Sequence, residues 1–105
     1  MSIKRSFWIT EGNGFVANMI QAPTVTDAVS IAPTGANVVE AKPGQRLVYK
    51  ALNGQFVNGK LAAIPILPSM LQVSEGDDIS QTRFIPTIQV KRILNRGEVH
   101  EKISV

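Results

Sequence analysis

A chain of 105 residues with 44% hydrophobic and 18% charged residues has the length of one domain and a globular composition slightly short of charge, which argues against a disordered polypeptide. It contains no cysteine, so neither a disulfide framework nor a thiolate metal site can form. Eleven Lys and Arg against eight Asp and Glu give a net charge of +3, compatible with a polyanionic partner but too small to require one.

The N-terminal residues carry Lys4 and Arg5 but no apolar run of signal-peptide length, and no segment approaches the roughly 20 apolar residues of a membrane span. The expected location is the cytoplasm. A charge-poor surface, most of all the Ala-, Val- and Pro-rich stretch 22–41, points to self-association, because large apolar patches are uncommon on monomers.

In chain order, residues 3–10 alternate, with Ile3, Arg5, Phe7 and Ile9 on one face and Lys4, Ser6, Trp8 and Thr10 on the other, which predicts a strand with Trp8 outward beside Lys4. Glu11-Gly12-Asn13-Gly14 then predicts a turn into a second strand over 15–20, closing an N-terminal hairpin. Pro23, Pro33 and Pro43 recur every ten residues, a rhythm expected of short strands in a meander, sandwich or barrel. Within the first unit Thr24 and Asp27 have the spacing of a capping box that opens a short helix over 27–31, although Val29 and Ile31 weaken it.

Farther along, Asn53-Gly54 is the favoured pair for a two-residue hairpin turn, and Asn58-Gly59 follows too soon to close a second one, so it reads as a bulge or bend. Pro65 predicts an edge strand over 60–67. Residues 68–74 fit a helical turn or irregular chain, 75–78 form an acidic turn, and 86–94 with 99–105 read as a last hairpin across 95–98. The expected fold is all-β: a single domain, 1–105, built from hairpins as a small barrel or sandwich of six to eight short antiparallel strands. Its inward positions are expected to be Ile3, Phe7, Ile9, Phe15, Val29, Val39, Leu47, Tyr49, Ile64, Ile66, Ile88, Val90, Val99 and Ile103.

Catalysis needs a nucleophile, a base and an orienting group within hydrogen-bond reach. His100 is the sole histidine. It shares a strand face with Glu98, with no second His and no Cys to complete a metal site, and the acidic turn lacks the twelve-residue ligand spacing of a calcium loop. There is neither a Gly-x-Gly-x-x-Gly between strand and helix nor a Gly-Lys-Ser/Thr. A non-enzymatic protein without cofactor or metal is therefore expected.

Cations and rings do alternate along the chain: Lys4 beside Trp8, Arg46 and Lys50 around Tyr49, Lys60 after Phe56, and Lys91, Arg92 and Arg96 on the last hairpin. A β surface offering rings for stacking and cations for phosphates is how sequence-tolerant single-strand binders work. The expected function is nucleic-acid binding, single-strand selective, by a homo-oligomer, with Trp8 stacking and Lys4, Arg46, Lys50, Lys60, Lys91, Arg92 and Arg96 on phosphate. The competing readings are a self-assembling structural or decoration protein and a protein-binding adaptor or inhibitor. A binder needs its cations on one face, whereas an assembly protein can scatter them.

Overall fold

The structure, a computed structural model, describes residues 5–75, 81–94 and 99–101. Along the chain these form β1 (Arg5–Thr10), β2 (Val16–Ala22), a short helix α1 (Val25–Ile31), β3 (Asn37–Glu40), β4 (Arg46–Lys50) and β5 (Phe56–Leu61). They continue with β6 (Met70–Glu75), β7 (Thr82–Pro86), a 3-10 turn over Thr87–Gln89, β8 (Val90–Ile93) and β9 (Val99–Glu101). The protein is mainly β, in two antiparallel sheets ordered β2-β1-β3-β9 and β7-β6-β5-β4-β8. In the second sheet the edge strands β7 and β8 follow each other in sequence through the 3-10 turn. That sheet curls toward a barrel without closing.

The sheets bury one shared core, in which Trp8, Met19 and Val39 of the first meet Leu47, Tyr49, Leu61, Leu71, Val73, Ile85, Val90 and Ile93 of the second. The far face of the first sheet carries Phe7, Ile9, Ala22 and Val38, covered by Ala28 and Ala32 with Val25 and Val29 at their side. Spacing of 25, 28, 29 and 32 puts these four on one helical face. The layers are thus helix, sheet, sheet. α1 forms despite its β-branched residues because Thr24 accepts from the Asp27 N–H at 3.1 Å, and burial of Ala28 outweighs a propensity deficit of a few tenths of a kcal/mol per residue.

The N-terminal hairpin has the expected elements, paired from Arg5↔Ala22 to Thr10↔Val16. Several other expectations are corrected. The ten-residue proline spacing is not a strand repeat: Pro23 and Pro33 flank α1, and Pro43 lies in the turn between β3 and β4. The apolar stretch 22–41 supplies Ala22, Ala28, Ala32, Val38, Val39 and Ala41 to the core and leaves Ile31 exposed. No edge strand runs over 60–67. β5 ends at Leu61 inside its sheet, and Pro65 sits in the connection to β6, where its carbonyl accepts from Ser6 Oγ at 3.3 Å. Residues 70–75 are a strand, β6, instead of a helical turn. The final hairpin does not form as read, because β8 pairs with β4 while β9 pairs with β3 in the other sheet. Phe15, Ile64, Ile66, Ile88 and Val99, expected inside, are exposed, while Val29 is half-buried. Ile3, Ile103 and the 76–78 and 95–98 turns lie outside the described residues.

The hairpin around Asn53-Gly54 forms with a longer turn than the pair implies. Gly54 N–H donates to the Ala51 carbonyl at 2.9 Å and Ala51 N–H to Gln55 at 2.8 Å, with Gly54 at φ +88°. Three residues are therefore looped out, with the glycine in the left-handed region that a three-residue hairpin requires. This moves the register by one position and pairs Lys50 with Phe56. Gly59 is no bulge. It lies in regular pairing with Leu47, and a Cβ there would stand 2.5 Å from the Ser74 carbonyl oxygen and 3.1 Å from Tyr49 Cε1.

These two glycines differ in kind. Gly59→Ala forces a methyl group against the Ser74 backbone carbonyl and is expected to cost at least about 2 kcal/mol, a fall in Tm on the order of 10 °C. Gly54→Ala meets open space and is expected to cost only about 1 kcal/mol, from its positive φ. Thermal melts that rank the two variants the other way would contradict this packing.

Candidate nucleic-acid interface

Strand alternation decides where the second sheet sends its cations. On β4 the side chains of Leu47 and Tyr49 are buried, which turns Arg46, Val48 and Lys50 outward. The ladder sets Arg46 opposite Lys60, Lys50 opposite Phe56, and Val48 between Asn58 on one side and Arg92 on the other. Four cations from three adjacent strands thus share the outer face, and Arg46 to Lys50 spans about 13 Å at roughly 3.3 Å per residue. None of the outward positions of β4, β5 and β8 carries a carboxylate. Arg46 and Lys60 stand directly opposite each other, an arrangement that like charges disfavour.

Arg92 also lies over the Phe15 ring, 5.5 Å from its centroid, at the isolated bridge Phe15↔Arg92 that joins the two sheets at one corner. Phe56, opposite Lys50, is 66% exposed and is the ring this face presents. A two-residue turn at Asn53-Gly54 would have paired Lys50 with Val57 and sent Phe56 to the other face, so the longer turn is what places this ring outside.

The remaining candidates fall elsewhere. Lys91 occupies the irregular step between β4 and β8 and donates from Nζ to the Ile88 carbonyl at 3.1 Å. It borders a groove of about 670 Å³ between β2 and the 3-10 turn, away from the other four. Lys4 and Arg96 lie outside the described residues. His100 pairs with Val38 at the edge of the first sheet. Among the described residues no group of three His, Asp or Glu is arranged to hold a metal.

Trp8 requires a correction: it is 0% exposed and offers no stacking surface. Alternation misplaced it because β1 is an interior strand with both faces covered, Phe7 and Ile9 by α1 and Trp8 by the second sheet. Its indole N–H donates to Gln45 Oε1 at 2.8 Å, which satisfies the one polar atom that burial would otherwise strand.

Arg5 clamps Glu40 through two bonds of 2.6 Å, fastening β1 to β3, and this hydrogen bonding holds the Glu40 carboxyl below its ordinary pKa despite partial burial. No helix among the described residues is long and apolar enough to cross a membrane.

Burial of Trp8 has two measurable consequences. Its emission is expected to be blue-shifted and unchanged by added oligonucleotide, and Trp8→Ala is expected to lose about 3 to 5 kcal/mol in urea unfolding. Red-shifted emission that oligonucleotide quenches would place the ring outside the core.

Comparison of the chain with protein-family models, with curated proteins and with solved structures yields no match.

Proposed function

We propose that this protein binds nucleic acid, as a non-enzymatic module, on the outer face of its second sheet. The observation that carries the proposal is the convergence of Arg46, Lys50, Lys60 and Arg92 on three hydrogen-bonded neighbours, β5, β4 and β8. Cations spaced along neighbouring strands can contact successive phosphates, and Phe56 adds an exposed ring on which a base can stack. Both features are indifferent to base identity, so the surface fits a sequence-tolerant binder.

Binding to a short single-stranded oligonucleotide is expected to weaken with salt. Neutralising three or four phosphates gives a slope of log affinity against log salt of about −2 to −3, since each contributes roughly −0.7. Lys50→Ala is expected to reduce the slope by about 0.7, Phe56→Ala to cost about 1 to 3 kcal/mol with the slope unchanged, and Lys91→Ala to leave the slope as it was. Absence of salt-dependent binding at low ionic strength would remove the proposal.

A second reading, self-association, draws on a different surface. Ile64, Ile66, Leu67 and Ile88 are all more than half exposed, which is unusual for a monomer's surface. If this surface joins copies of the chain, sedimentation at micromolar concentration is expected to give a species larger than one chain, and Ile66→Lys to return it to a monomer. A single-chain species in the parent would rule this out.

A further inference from the structure

β2 is an edge strand of the first sheet and β8 an edge strand of the second, and the isolated bridge Phe15↔Arg92 brings them together at one corner. Beyond that bridge the two edges do not pair among the described residues, and a groove of about 670 Å³ lies there. Its lining includes Val16 and Met19 on one side, Pro86, Ile88 and Lys91 on the other, and Pro68. The phase of the ladder shows which backbone groups of β2 are open. The Ser6 carbonyl accepts from the Ala41 N–H at 2.9 Å, so Ser6 and, by alternation, Trp8 direct their backbone groups to β3, while Arg5, Phe7 and Ile9 direct theirs to β2. The partners Ala22, Ile20 and Asn18 are used in this way. The N–H and C=O of Met19 and Gln21 therefore point away from β1, and neither residue has a backbone partner there among the described residues.

We infer that this groove takes an extended, carboxylate-bearing peptide segment of a partner protein, which adds as a strand to β2. Open donors and acceptors on a sheet edge are completed by another main chain, and edges that avoid such pairing carry lysine or proline or are bulged. β2 has no charged residue and no proline, and its one bulge, at Ala17, precedes Met19 and Gln21 and leaves their register regular. Residues 16–19 line the groove, a length of about 13 Å at roughly 3.3 Å per residue, which a segment of about four extended residues fills. Side chains of such a segment alternate, and one set meets Pro68, Pro86 and Ile88, the last 81% exposed. Charge sets the other requirement. Lys91 is exposed and is the sole charged residue of the lining. Its Nζ is steadied by the Ile88 carbonyl at 3.1 Å and keeps further donors for a ligand. The complement is a peptide that sets a carboxylate between apolar residues. A second copy pairing β2 with β2 brings no carboxylate to Lys91, so the occupant is a different chain. The inference is independent of the cationic face.

The test uses the full-length protein and three end-blocked hexapeptides: one of alternating valine and threonine with a central glutamate, the same peptide with lysine for the glutamate, and the glutamate peptide with its backbone amides N-methylated. In NMR titrations the glutamate peptide is expected to shift the Met19 and Gln21 amide resonances and to slow their hydrogen exchange. The lysine peptide is expected to bind roughly three- to tenfold more weakly, and the N-methylated peptide at least about tenfold more weakly, because it has lost its main-chain donors. Lys91→Glu changes an exposed side chain and is expected to leave Tm unchanged while reversing the order of the first two peptides. The proposal is overturned if none of the peptides binds at millimolar concentration, or if binding leaves these two amides unmoved. It is equally overturned if the N-methylated peptide binds as well as its parent, or if Lys91→Glu does not alter the preference. Shifts of the same amides on dilution of the protein alone would make a second copy the occupant, and shifts caused by a short oligonucleotide would assign the groove to nucleic acid; either result removes the peptide.

Discussion

The bond from the Trp8 indole to Gln45 holds the two sheets in relation to each other. Gln45 is itself buried, and besides accepting from Trp8 it accepts from the Lys42 N–H at 3.2 Å and donates to the Glu40 carbonyl at 2.8 Å. One side chain therefore satisfies the indole and shapes the turn by which the chain leaves β3 and enters β4. Because Gln45 points into the core, the next residue points out, and that residue is Arg46. The orientation of the whole cationic face follows from this step.

Energetics explain why β4 keeps that orientation although it sets cation against cation. Burial of Leu47 and Tyr49 stabilises it by roughly 1.5 to 3 kcal/mol per large apolar side chain, whereas an opposed like-charge pair such as Arg46 and Lys60 costs less than about 1 kcal/mol. Hydrophobic burial wins, and the cations gather where the ladder puts them. In the first sheet Arg5 and Glu40 satisfy each other across β1 and β3.

The open seam of the second sheet has the same origin. β7, the 3-10 turn and β8 run on without a loop, so the chain passes from one edge of the sheet to the other in a few residues. Gly59 lets the Tyr49 ring and the Ser74 carbonyl approach the β5 backbone closely, and the Tyr49 hydroxyl is enclosed with no hydrogen-bond partner among the described residues.

The amino-acid sequence by itself determined the class of the fold and much of its local chemistry: the β1–β2 hairpin from alternation and a glycine turn, the Thr24 cap, and the presence of a turn at Gly54. These are legible because they depend on residues within a few positions of one another. Which face of β1 is buried was not legible, since both are, and alternation carries no information when a strand is covered on two sides. Nor did the pattern reveal that 90–93 and 99–101 part company into different sheets. Only the tertiary structure decided that Arg46, Lys50, Lys60 and Arg92 converge while Lys91 turns away, because convergence depends on strand order and on a one-residue register set by how the Ala51 to Gly54 turn closes. A one-residue change in register reverses the face of every side chain after it, and no count of cations along a chain contains that information.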